Sequence, residues 1–167
     1  MNVAIKLALA AAVALPAAPV LAQATSAMDY VKQAGASDLY ERDSSRLVLT
    51  TTHNPKVRQF AQHMIKDHTK STAEVKAAAM KAHMHPMPPR LNAMQASNMA
   101  KLRAAHGAMR DQMYLQQQGP AHEMALQLHQ SYAANGDSAP LKMAANKIVP
   151  VIQEHINDLH GITSSGM

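Results

Sequence analysis

The chain has no cysteine, no tryptophan and a single phenylalanine. Without cysteine, neither disulfides nor thiolate ligands are available, so stability has to come from packing. An oxidising compartment would tolerate such a chain. Aromatic residues are too few to interleave with basic ones as a stacking platform. The formal net charge of +5 is spread over residues such as Lys56, Arg58, Lys66, Lys70, Lys76, Lys81, Lys101, Arg103 and Arg110, which fall mostly on polar helix faces. A nucleic-acid interface is therefore not expected. Strand signals are nearly missing, the only β-branched run being Val-Leu-Thr-Thr-Thr at 48–52. There is no Gly-x-Ser-x-Gly elbow and no Gly-rich phosphate loop, which argues against hydrolase and nucleotide-binding chemistry.

The chain also lacks long hydrophobic runs. The one apolar stretch, residues 7–15, follows Lys6, is broken by Pro16 and Pro19, and leads into small residues at 20–24. This pattern predicts a cleaved secretory signal peptide over residues 1–24. The run is too short to span a bilayer and no second one follows, so no transmembrane segment is expected after cleavage. Residues 25–162 are then one domain of ordinary size, and residues 163–167 a flexible tail.

What the chain does have is 13 Met and 10 His, in a background of strong helix formers. A first helix is predicted over residues 26–52, with Ser26 as N-cap and Asp29 three residues on. Asn54 and Pro55 open a second helix, as N-cap and first helical residue, running to about residue 82. His85-Pro86-Met87-Pro88-Pro89 ends it. A short helix is predicted over 92–106, stopped by Gly107. A long one follows over 108–134, with a kink at Pro120. The turn Asn135-Gly136-Asp137 leads to a last helix over 140–160, with Pro150 inside and Gly161 as its stop. Four long amphipathic helices with short connections predict an all-α fold, an antiparallel four-helix bundle with a short extra helix in the crossover between its two hairpins.

The inward stripes, read at spacings of three and four, are interrupted by residues that do not belong in an apolar core. Val57, Ala61, Met64, His68, Ser71, Val75 and Ala78 make one stripe. Leu141, Ala145, Ile148, Ile152, His155, Leu159 and Ile162 make another. Leu115, Gln118, His122, Leu126, His129 and Ala133 make a third, and Val31, Ala34, Asp38, Glu41, Ser45 and Val48 the weakest. Glu41 and His68 are nearly equidistant from the Asn54 turn, and His122 and His155 both fall mid-bundle. A buried charge or imidazole costs free energy unless it is paired, hydrogen-bonded or metal-bound. One carboxylate and three imidazoles at one level make a candidate site for Cu, Zn, Fe or Mn. The competing expectation is a metal-free hydrogen-bonded layer that fixes the bundle's register.

A second candidate is the segment Met80, His83, Met84, His85 and Met87. Thioether and imidazole donors close together at a helix end suit Cu(I). An incidental cluster in a Met- and His-rich chain is the alternative.

Several motifs are shared with a known family: Glu41-x-Asp43; Asn54-Pro55-x-Val57-x-x-Phe60-Ala61-x-x-Met64-x-x-Asp67-His68; Asp111-x-x-Tyr114-Leu115 ahead of His122; and Val149-Pro150 ahead of His155. In these, and over nearly the whole mature chain, the protein resembles the exported ferritin-like bacterial proteins of domain of unknown function 4142. The resemblance implies a ferritin-like helical bundle exported to the periplasm, with no established activity. The chain departs from ferritin-type di-iron proteins in lacking the Glu-x-x-His repeat. Glu123 directly follows His122 and Glu154 directly precedes His155, so each Glu points to a different helix face from its His. Gly119 and Pro120 also place an interruption just ahead of His122.

The leading expectation is a non-catalytic transition-metal-binding protein with a metal-handling or envelope-stress role. Glu41, His68, His122 and His155 would be its inner ligands, and His83, Met84, His85 and Met87 a weaker copper site. The alternative is a metal-free structural or interaction protein of the cell envelope, meeting an anionic polymer, lipid or protein partner. A redox enzyme with a mononuclear metal ranks third.

Overall fold

The computed structural model describes residues 25–164; the expected signal peptide and the last three residues lie outside them. The described residues form five helices and no strand: α1 (Ala27–Leu49), α2 (Pro55–Lys81), α3 (Ala93–Ala104), α4 (Gly107–Asn135) and α5 (Ala139–Ser164). None is long and apolar enough to cross a membrane.

The helix starts follow local chemistry. The Ser26 hydroxyl accepts the Asp29 N–H, and the Asn54 side chain accepts the N–H groups of Lys56 and Val57 ahead of Pro55. These caps satisfy donors that have no intrahelical partner. Asn92 and Gln95 form a reciprocal capping box at the start of α3. Gly107 opens α4 instead of merely closing α3. Its φ of 55° lies in the left-handed region that favours glycine.

The helix α4 stays helical through Gly119 and Pro120, so no break in it precedes His122. The expected stop at Gly161 does not hold, since α5 continues to Ser164. A glycine inside a helix costs only about 1 kcal/mol. Here the Thr163 hydroxyl donates to the Leu159 carbonyl and the Ser164 hydroxyl to that of His160. Thr163 and Ser164 therefore belong to the last turn of α5.

Helix α1 packs on α2 and α4, and α5 packs on α4 and α2, closing a ring of four long helices. The short α3 lies against α1 and α4. Arg110 locks this crossover. Its Nε donates to the carbonyls of Leu102 and Ala105 at the end of α3, and its Nη1 to the hydroxyls of Thr50 and Thr51. Beside it, the Thr52 hydroxyl donates to Asp111.

Inside the ring the apolar core is in two pieces. One gathers Tyr30, Val31, Val75, Tyr132, Leu141, Ile148 and Ile152. The other gathers Val48, Val57, Phe60, Met64, Tyr114, Leu115 and Leu159. Burying each large side chain contributes about 1.5–3 kcal/mol. Along every long helix the seam between the pieces falls at a polar residue. It is Glu41 between Ala34 and Val48, His68 between Met64 and Val75, His122 between Leu115 and Ala125, and His155 between Ile152 and Leu159.

Candidate metal centre

The seam brings His68, His122 and His155 together, all three buried. Their ring centroids stand 5.7 Å (His68–His122), 5.3 Å (His68–His155) and 5.4 Å (His122–His155) apart, nearly an equilateral triangle. One nitrogen from each lies within 4.8 Å of the other two.

Each ring is held by an acceptor at one of its nitrogens. His68 Nδ1 donates to Asp38 Oδ1 at 2.9 Å, His122 Nδ1 to the Gln118 carbonyl at 2.9 Å, and His155 Nε2 to Asp67 Oδ2 at 3.2 Å. A carbonyl or carboxylate only accepts, so these bonds set the tautomers and leave lone pairs on the other nitrogens. The remaining atoms, His68 Nε2, His122 Nε2 and His155 Nδ1, are buried and have no protein partner. This is the outer-shell arrangement that orients metal-binding histidines.

The Asp38 carboxylate is itself held. The Thr72 hydroxyl donates to its Oδ2 at 2.8 Å, and Arg42 donates to both the Thr72 hydroxyl and the His68 carbonyl. The His68 imidazole thus sits on a network tying α1 to α2.

Glu41 stands beside the trio. Its Oε1 is 3.9 Å from His122 Nδ1, and both its oxygens are buried without a hydrogen bond. Burial pushes its carboxyl up to about 7, against the opposing pull of a charged His68. Burial pushes His122 down to about 3 and His155 down to about 4, so both are neutral donors at neutral pH. Burial also presses on His68, but the Asp38 bond and the charges of Asp38, Glu41 and Asp67 outweigh it and raise its pKa. His68 is therefore the trio's most basic member.

The second candidate segment looks different. His83 and His85 are exposed and Met87 is 80% exposed. Met84 is half-buried and packs against the Tyr30 core piece. No group of three His, Cys, Asp or Glu residues gathers around the segment among the described residues.

Asp38 and Gln118 lie on the stripes read from the sequence, but their roles as acceptors were not legible there. Asp67, next to His68 in the chain, accepts from His155 on another helix. The Tyr114 hydroxyl shares a 2.8 Å hydrogen bond with that of Ser45, across α4 and α1.

Two solved structures share the fold. One is described as "CopM in the Cu(I)-bound form": TM-score 0.71, 16% identity, covering 84% of this chain and 96% of that one. The other is a putative secreted protein, DUF305, from Streptomyces coelicolor: TM-score 0.71, 15% identity, covering 85% and 93%. Among curated proteins, none matches the chain. The model of the domain of unknown function DUF4142 matches residues 11–162, and the chain belongs to that family.

Proposed function

We propose that this protein is an exported, periplasmic, ferritin-like antiparallel four-helix bundle, with residues 25–162 as its single domain, that binds one transition-metal ion without catalysing a reaction on it. Metal handling or envelope stress is the role this fits. One observation carries the reading. Three buried imidazoles form one cluster, with a nitrogen of each within 4.8 Å of the others, and each gives one nitrogen to an acceptor and leaves the other buried and unpaired. Leaving a buried polar atom unsatisfied costs about 1–3 kcal/mol. One nitrogen of each imidazole in the cluster stands unpaired, with Glu41 beside His122, and a cation held by the trio would answer the nitrogens together.

His68, His122 and His155 would hold the ion. Glu41, whose Oε1 lies 3.9 Å from His122 Nδ1, would offset its charge. An imidazole-dominated set suits copper, zinc or iron better than manganese. The Cu(I)-bound state of the structural neighbour supports the same class of ligand. His83, Met84, His85 and Met87 would form a second, weaker site for a soft ion, open to solvent.

Elemental analysis of the mature protein, exported or refolded with mixed metals, tests this beside a His68→Ala/His155→Ala variant. Stoichiometric metal that the variant loses supports the inner site. Metal kept by the variant moves the function to residues 83–87. No metal in either contradicts the reading and leaves a hydrated polar layer in a metal-free envelope protein.

A further inference from the structure

The three unpaired nitrogens are buried, so an ion can reach them only if one wall of the site moves. The walls are held unequally. His68 is fixed through Asp38, Thr72 and Arg42, with Asp38 itself buried. His122 is bonded to its own helix backbone at Gln118, and its ring faces Phe60 on one side. His155 has one tether, the 3.2 Å contact to Asp67, whose side chain is 29% exposed.

The same side of the site carries a cavity. Between α2 and α5 lies a space of about 230 Å³, walled by His68, His155, Asp67, Ser71 and Val151 among others. It has room for several waters at about 30 Å³ each. Ser71, on its wall, is 7% exposed, and its Oγ is buried without a hydrogen-bond partner. The mouth is of mixed charge, with Lys70 and Lys147 beside Asp67 and Glu74. It therefore does not repel cations as a wholly basic mouth would.

We propose that the α2/α5 cavity is the ion's entry and exit vestibule, with His155 as the moving wall, Asp67 as its tether and first carboxylate for the arriving ion, and the Ser71 hydroxyl as a station on the way. This rests on the metal reading above. When the Asp67 bond breaks, the His155 ring turns into the cavity, where Ser71 Oγ can bond it or a water of the arriving ion. Rebonding to Asp67 returns His155 Nδ1 to the trio.

A filled cavity should slow exchange without changing the equilibrium. The experiment loads the mature full chain with cobalt(II) and follows uptake by visible absorption and release into excess chelator. Val151→Phe should slow both rates by about tenfold, with Kd held to within about twofold, and Val151→Met should slow them less. Asp67→Ala should speed release by about tenfold. Rates that ignore both Val151 substitutions overturn the route, and release unchanged in Asp67→Ala overturns His155 as the moving wall. The milder substitution decides the matter if the larger one fails to fold. Wild-type protein that takes up no cobalt fails the metal reading before any rate is measured; protein that loads but ignores the cavity fails this inference alone.

Discussion

His122 and His129 stand two turns apart on the same face of α4, and each is 1% exposed. Burial pushes both below the ordinary histidine range, to about 3 and about 4. Neither burial nor basicity tells them apart. Their partners do. His129 Nδ1 shares a 2.9 Å hydrogen bond with the Tyr30 hydroxyl, and its ring meets Tyr30 edge-on. Tyr30 stacks on Tyr132 at 3.9 Å, and the Tyr132 hydroxyl donates to Asp137. No nitrogen of His129 is left buried and unpaired, whereas His122 Nε2 is. One histidine is a finished core residue; the other is half of an interaction. What a buried polar group leaves over is the better guide to function.

The contrast breaks if His129 matters to metal binding or if the trio does not. The largest effect is expected from His68→Ala/His155→Ala, which should abolish stoichiometric binding, while His129→Gln keeps one ion per chain by elemental analysis. If His129→Gln loses the ion instead, the distinction fails. Next comes the outer shell. Asp38→Ala should weaken affinity by about 10–100-fold, measured by competition with a chelator, because His68 loses its orienting acceptor.

Tyr30→Phe should leave affinity alone and lower unfolding stability by about 1–3 kcal/mol, since it strips the partner from His129; chemical denaturation measures this. A metal deficit in Tyr30→Phe would show that the two histidines are not independent.

Acid sharpens the comparison further. His129 is held neutral in the fold down to about 4, against 6.5 for the unfolded group. Between those values the unfolded chain binds a proton that the fold does not, so metal-free stability should fall as pH drops from about 6.5 towards 4. His122 and His155 act in the same direction and Glu41 and His68 oppose them, so the share of His129 is read by difference. Thermal melts across that window should show a smaller loss in His129→Gln than in the wild type, and an equal loss in both would mean that His129 is not buried neutral. The smallest effect is expected at the exposed segment. His83→Ala/His85→Ala should leave the high-affinity ion in place and reduce only weak binding of a soft ion, read by titration with silver or copper(I).

The inward placing of the four candidate ligands was legible in the sequence. The three- and four-residue spacing puts Glu41, His68, His122 and His155 on inward faces, and all four are buried. Helix geometry converts spacing into facing reliably over a few turns, and counting from the Asn54 turn predicts depth. The acceptors behind the rings were harder to read. Asp67 adjoins His68 in the chain yet serves His155, because neighbours on a helix diverge and pairing across helices depends on packing. Three tyrosines were also missed: Tyr30, Tyr40 and Tyr132 are all fully buried. An amphipathic ring with a polar tip gives a pattern reader no clear side. Gly161 misled because a glycine signal stops a helix only where the chain needs a left-handed turn, and here it needs none.

The most direct measurement of the central claim is X-ray absorption at the metal edge of the singly loaded mature protein. The account predicts an inner shell of nitrogen and oxygen with the multiple-scattering signature of three imidazoles, reduced in His68→Ala/His155→Ala. A shell dominated by sulfur would contradict it and put the ion on the methionines of residues 80–87.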